Sequence, residues 1–417
     1  LAGKRGIVLV NRIDMENCMN CTKKTYSVCA VSLALLCSAS AAFSQGNPGA
    51  LKEFVKENIS GKTRIVKNLN GASKNFAETS LYALNFLYEN YDLLNSDEDF
   101  IAFAVEAVRA VPASSSPEAA RLLEKIFAVN KNAALQNAVL ENFTRAARSS
   151  AEAFSPDEAT VALVNSYAAD LLKAAPSSDA RDQLLSAIDA LAQFRRSSSF
   201  SVLFSCYLSS DTAVSEKAAE ALNNFSGVYE NSVRTLITGG TLHEKKAVLD
   251  LVLQNPKNSD FFKAEMSENA LSSTIYKAGD VELHDKEYAA LKMQAVRELY
   301  RVSWTRSARL MRDVFVSSRK EYEAGLLTDN QFIEIIYAFT RLAPAEAAEN
   351  LTNYLKALNK NQEENKPSGT PIVLAVIQSL QLLRDKIAFD DLLYATYQNY
   401  PDEVIAAARD ALSKLKW

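Results

Sequence analysis

The stretch Leu374-Ala375-Val376-Ile377-Gln378-Ser379-Leu380-Gln381-Leu382-Leu383-Arg384, continuing to Phe389 and Leu392, decides the fold because its pattern of spaced residues occurs earlier in the chain as well. Leu185, Ile188, Leu191, Arg195, Phe200 and Leu203 reappear 189 positions later as Leu374, Ile377, Leu380, Arg384, Phe389 and Leu392. After a one-residue slip, Ala218, Ala221 and Leu222 reappear 190 positions later as Ala408, Ala411 and Leu412. Each copy reads as helix, turn, helix, turn, helix. A period of 189 to 190 holds four or five units of about 38 to 47 residues, the length class of stacked helical hairpins.

The helical reading extends outward from these copies. Phe100, Phe103, Ala104, Ala107, Val108 and Val111 form one stripe of a 3.6-residue helix, and Pro112 ends it. The same spacing recurs in Leu135, Val139, Phe143 and Ala146, in Val161, Val164, Ala168, Leu171 and Leu172, and in Phe332, Ile335, Ile336 and Phe339. No comparable stretch alternates with period two. Helix starts fall between the stripes: Ser116-Pro117-Glu118, Ser155-Pro156-Asp157-Glu158 with Ser155 as the expected cap, and a capping box from Thr328 to Gln331. Short polar connections predict antiparallel neighbours. Lys360 to Thr370 reads as a long inter-helix loop.

Phe389 to Tyr397, the turn Tyr400-Pro401-Asp402 and the run Glu403-Val404-Ile405-Ala406-Ala407-Ala408-Arg409-Asp410-Ala411-Leu412 resemble a bacterial HEAT-like repeat. Val214 to Phe225, with Ala218-Ala219-Glu220-Ala221-Leu222, resembles the same second helix. Small alanines let successive helices approach closely. The resemblance covers about two repeats by motif and the rest by architecture; the tetratricopeptide signature is absent. It implies an all-α chain, an α-solenoid of stacked antiparallel helical hairpins with a HEAT- or armadillo-like superhelix. Such stacks expose an extended, often concave, face that holds partners.

Composition agrees. The chain has 417 residues and 48% apolar content, enough for a large core, and no glycine between Gly71 and Gly227 to build hairpin turns or phosphate loops. The formal net charge is −4; residues 1–44 contribute +3 from five basic and two acidic side chains, leaving −7 on the rest. An acidic chain has no general affinity for nucleic acid or anionic lipid.

The N-terminal part reads as an export leader. Lys23 and Lys24 precede the apolar run Val28 to Cys37, and the small residues Ser38 to Ser44 follow, with cleavage expected after Ala41 or Ser44. That run falls short of the roughly 20 apolar residues a bilayer span needs, so no permanent anchor is expected. Lipidation at Cys37 is an alternative, opposed by the bulky Leu36 before it. The leader region spans residues 1–44, with the signal from about 19, and candidate starts at Met15 and Met19. Residues 45–74 form a lead-in, and 75–417 the solenoid. Cys18, Cys21, Cys29 and Cys37 precede the cleavage zone, so Cys206 alone remains and no internal disulfide forms. The expected location is the periplasm or cell envelope.

The catalytic inventory is thin. His243 and His284 stand 41 residues apart with no partner at metal-ligand spacing, so no metal and no cofactor are expected. Ser60-Gly61-Lys62-Thr63 echoes a phosphate loop, but Lys56 occupies the place of its first glycine. The acid pairs Asp390/Asp391 and Glu363/Glu364 serve general acid-base chemistry only if folded into a cleft. Tryptophan, a usual platform for sugar rings, occurs only at Trp304 and Trp417, against a helical-toroid hydrolase.

The strongest local composition is a cationic, aromatic segment: Arg297, Tyr300, Arg301, Trp304, Arg306, Arg309 and Arg312, continuing to Arg319 and Lys320. Arginine beside exposed aromatics is the composition of interaction hot spots, suited to an acidic protein partner. The bland reading is a helix pair whose arginines bond glutamates such as Glu298 while the aromatics pack inward. The sequence therefore predicts an exported, non-catalytic interaction or scaffold protein, with an all-helical envelope enzyme as the competing class.

Overall fold

The computed structural model describes residues 49–70, 75–95, 97–113, 116–149, 156–174, 178–275, 286–366 and 368–416. The segment read as an export leader, with Cys18, Cys21, Cys29 and Cys37, lies outside them, as do Ser155, His284 and Trp417. The chain divides into two compact units, Leu1–Phe154 and Ser155–Trp417. The first contains α1 (Gly49–Lys56), α2 (Ile59–Lys67), α3 (Phe76–Glu89), α4 (Glu98–Arg109), α5 (Pro117–Val129) and α6 (Ala133–Arg148).

The second contains α7 (Glu158–Lys173), α8 (Ser178–Phe194), α9 (Phe200–Tyr207), α10 (Thr212–Asn223), α11 (Glu230–Gly239), α12 (Leu242–Gln254) and α13 (Asp260–Ile275). It continues with α14 (Lys286–Val302), α15 (Ala308–Glu323), α16 (Asp329–Leu342), α17 (Pro344–Glu363), α18 (Thr370–Leu383), α19 (Phe389–Ala395) and α20 (Asp402–Ser413). No strand occurs among the described residues, which hold a single isolated bridge between Asp385 and Lys416.

Within each unit, helices pack on others one or two places along the chain, as α3 does on α4 and α5, and α16 on α17 and α18. In the second unit this makes two rows: α12, α14, α16, α18 and α20 on one side, and α11, α13, α15, α17 and α19 on the other. The arrangement is a solenoid-like stack of antiparallel hairpins. The predicted stripes supply the core of each unit: Phe100, Phe103, Ala104, Ala107 and Val108 are fully buried in the first, and Phe332, Ile335, Ile336 and Phe339 in the second. Each large side chain so buried contributes about 1.5–3 kcal/mol. Ala218, Ala408 and Ala411 are also fully buried, as their role in close helix approach requires.

Side chains set the helix ends. Ser116 and Thr328 cap as expected, Thr328 within a reciprocal box with Gln331, and Thr241 makes a second box with Glu244. The cap of α7 is Asp157 rather than Ser155: its carboxylate accepts the Thr160 amide at 2.8 Å, and the helix starts at Glu158. Residues 45–74, read as a lead-in, already hold α1 and α2, with α2 packed on α4. Their apolar stripe is short, but Phe54 and Val66 are buried. Lys360 to Thr370 is only partly a loop. The α17 helix runs through Glu363 because its apolar face, Leu351, Leu355 and Leu358, extends its register past the polar Lys360 and Asn361. Asn365 then ends it in the left-handed region at φ 56°, with the Lys366 amide donating to the Asn361 carbonyl.

The repeated arginines turn out to be a turn device. Arg195 and Arg384 both adopt left-handed φ, at 51° and 55°. Each amide donates to a matched leucine carbonyl four residues back, Leu191 or Leu380. A 3-10 turn follows in both copies, and the next helix begins at the matched Phe200 or Phe389. Ser303, at φ 56°, opens a third turn of this design, followed by a 3-10 turn at Thr305–Ser307 and by α15.

Candidate functional site

The arginine segment lies where α14 turns into α15. Arg297 forks onto Glu334 of α16, at 2.6 Å from Nε and 3.1 Å from Nη2. Arg301 forks onto Glu298 at 2.9 and 2.8 Å and also reaches Asp260 at the start of α13. In the turn, the Trp304 indole donates to Glu268 at 2.8 Å, and Arg306 Nε donates to the same carboxylate at 2.9 Å. The Arg306 guanidinium sits 4.8 Å from the Trp304 ring, which meets Phe261 edge-on at 5.2 Å. Arg312 pairs with Asp313 at 3.0 Å, and Arg319 pairs with Glu323 while covering the Tyr354 ring at 4.6 Å.

The chemistry of the pairs is that of internal neutralisation. The hydrogen bond from Arg301 holds the Asp260 carboxyl below its ordinary range, and those the guanidinium donates to Glu298 and Asp260 raise its own pKa. Glu334 does the same for Arg297. Arg297, Arg301 and Arg306 thus tie this segment to other helices, while Arg312 and Arg319 pair along their own. Arg309 is exposed and makes no ion pair among the described residues.

Tyr300 leads elsewhere. With Tyr337, Thr340 and Arg341 of α16, Pro344 of α17, and Leu382 and Leu383 of α18, it lines a cleft of about 380 Å³. The Arg341 guanidinium lies 4.7 Å over the Tyr300 ring and donates through Nη2 to Ser303 Oγ. Tyr337 donates its hydroxyl to Gln378 at 2.7 Å, and burial raises its pKa. Leu382 is 70% exposed, an aliphatic side chain on the wet side of α18. Unlike Arg297, Arg301, Arg306, Arg312 and Arg319, Arg341 makes no ion pair among the described residues. Sequence reasoning found Tyr300 and missed Tyr337, Arg341 and Leu382, which lie 37 to 82 residues further on. Leu382 carried a usable signal, an apolar residue off the Ile372, Val376, Leu380 stripe.

The acid pairs divide. Asp390, Asp391 and Glu363 line one cleft of about 580 Å³ between α17 and α19, with Asn353, Lys356, Lys360 and Tyr394. Burial pushes the Asp391 carboxyl up, and Asp390 adds to this while Lys356 opposes it. Glu364 points away, to Lys366 at 3.2 Å. His243 is an exposed partner of Glu287 at 2.8 Å. Lys62 of the discarded loop motif lies in α2, buried against the Phe54 and Phe86 rings at 5.2 Å, and donates to the Glu57 carbonyl beyond the end of α1.

Among the described residues, no three His, Cys, Asp or Glu side chains group to hold a metal, and no helix is long and apolar enough to cross a membrane. The Cys206 thiol is buried and its pKa is pushed up to about 12, which removes it as a nucleophile. No protein-family model matches the sequence, and no curated protein matches it either.

Proposed function

We propose that the protein is an exported, non-catalytic interaction or scaffold protein of the cell envelope, built on HEAT-like repeats. It binds protein partners along the face formed by the ends of α14, α16 and α18. One observation supports the reading: exposed Tyr300 of α14 and Leu382 of α18, with the half-buried Tyr337 of α16, flank an arginine that pairs with no carboxylate among the described residues. Exposed apolar side chains that line a cleft mark interaction sites more often than scattered ones do. The residues Arg297, Arg301, Trp304 and Arg306 then support that face by joining its layers, and the partner's contacts fall on Tyr300 and its neighbours.

The test is quantitative capture from detergent-solubilised envelope by the intact protein and by a Leu382→Glu chain. Proteins retained by the first and released by the second support the reading; identical retention, or none, sinks it. Export is checked by fractionation. A product shortened at Ala41 or Ser44 in the envelope fraction is expected, and a full-length cytoplasmic product contradicts it.

A second reading rests on the α17–α19 cleft. A cleft lined by Asp390, Asp391 and Glu363, with the Asp391 carboxyl raised by burial, is suited to general acid catalysis in an all-helical hydrolase. Release of reducing ends from envelope polysaccharide, abolished by Asp391→Asn, is the outcome this reading requires.

A further inference from the structure

We infer that the Tyr300–Arg341–Leu382 cleft receives an extended peptide segment in which a carboxylate side chain neighbours a large apolar one. The inference rests on the binding reading above and names the chemistry of the partner. Three observations point to it.

The first is charge. Arg297, Arg301, Arg306, Arg312 and Arg319 are matched to Glu334, Glu298, Asp260, Glu268, Asp313 and Glu323, whereas Arg341, like the exposed Arg309, pairs with no carboxylate among the described residues, and it donates to a serine hydroxyl. A guanidinium has five N–H donors in a rigid fork, so several of Arg341's remain for a carboxylate. The chain as a whole is acidic, so this local cation is a contrast a partner can read.

The second is pre-organisation. The Tyr300 face holds the guanidinium plane at 4.7 Å and Ser303 Oγ fixes one of its nitrogens. Little rotamer freedom is left to lose on binding. The third is the apolar wall. Leu382, at 70% exposure, with Leu383 and Pro344, leaves about 380 Å³ beside the arginine, room for an apolar side chain next to the acidic one. Other ligand classes fit less well. Nucleic acid meets a net acidic chain. A sugar ring needs an open aromatic face, and Arg341 already covers that of Tyr300.

The experiment uses the whole protein and fluorescein-labelled octapeptides in an anisotropy titration. The probes alternate glutamate with leucine, lysine with leucine, or glutamate with serine. Binding is expected for the glutamate–leucine probe alone, weakened at least about tenfold by Arg341→Glu and by Leu382→Asp, the size of a lost charged hydrogen bond. Arg341→Glu is also expected to gain affinity for the lysine–leucine probe, which a misfolded variant cannot do. Failure of the glutamate–leucine probe, equal binding of the glutamate–serine probe, or equal binding by Arg341→Glu overturns the inference. If partner capture from envelope persists but ignores Arg341→Glu, this cleft is wrong while the binding role stands; if capture also fails, both fall.

Discussion

Lys292 and Glu321 offer the sharpest test of how the second unit is held together. The lysine, on α14, has no exposed side-chain surface, and the glutamate, on α15, only 3%. Their hydrogen-bonded ion pair is joined by Ser318 Oγ at 3.0 Å from the lysine nitrogen and by the Tyr288 ring at 5.5 Å. Burial pulls the ammonium below the ordinary lysine range and Glu321 opposes the pull. Removing one partner leaves the other charge buried without compensation, which costs about 3–5 kcal/mol, whereas replacing both with apolar groups of similar volume is close to neutral. Lys292→Met and Glu321→Leu should each lose that amount, and the double variant should recover nearly all of it.

The assay is urea unfolding at pH 7, followed by circular dichroism and by Trp304 fluorescence, with an unchanged slope as the condition for comparing midpoints. Single-variant losses under about 1 kcal/mol, or a double variant as damaged as the two singles summed, would refute the argument. A pH series adds a sign. In Glu321→Leu the buried amine holds its proton more weakly than the unfolded chain does. The unfolded state then binds more protons, and stability climbs as pH rises toward the ordinary lysine pKa of about 10.4.

Tyr229 is fully buried, donates its hydroxyl to Asn258 Oδ1 at 3.1 Å and accepts from Asn255 Nδ2 at 3.2 Å, so Tyr229→Phe should cost about 1–3 kcal/mol in the same unfolding assay; a loss too small to measure contradicts this. Hydrogen bonds from Thr241, Arg301, Lys366 and Lys414 hold Glu244, Asp260, Glu364 and Asp410 below their ordinary values. Their stabilisation is present above the unfolded pKa of about 4 and is lost as pH falls through the depressed native values. The urea midpoint should therefore fall between pH 5 and 2, on the order of the window these groups define, and a rise would count against it. Asp391 works the other way, its raised pKa favouring the acid form, so Asp391→Asn should leave neutral-pH stability unchanged or improved. Cys206 should react with a thiol reagent at pH 8 only at the rate of opening; prompt labelling of the folded protein contradicts its burial.

Much of the fold was legible because it is written in local terms. Apolar residues at helical spacing, Ser116 and Thr328 as caps, and the pairing of Arg195 with Arg384 all concern residues within a few positions of one another or a faithful repeat. Boundaries were harder, as the competition between Ser155 and Asp157 shows. The site was legible only in part. Glu298, three residues from Arg301, was visible as its partner, but Asp260, Glu268 and Glu334 stand 37 to 41 residues from the arginines they neutralise. Only stacking brings them together, and without the stacking register a run of paired arginines looks the same as a run of free ones. For the same reason Arg341, a single arginine in an ordinary helix, gave no sign of its place.

The rungs between layers also say how substitutions should combine. Asp250 with Gln294, Arg297 with Glu334, Tyr337 with Gln378 and Gln381 with Asp410 each tie one even-numbered helix to the next. Pairs of changes placed one period apart share a partner and should show epistasis, while pairs two periods apart should be heard independently. Variation in such a protein has a short memory, about 40 residues long, and a surface on one layer is free to change its specificity without consent from the layers beyond its immediate neighbours.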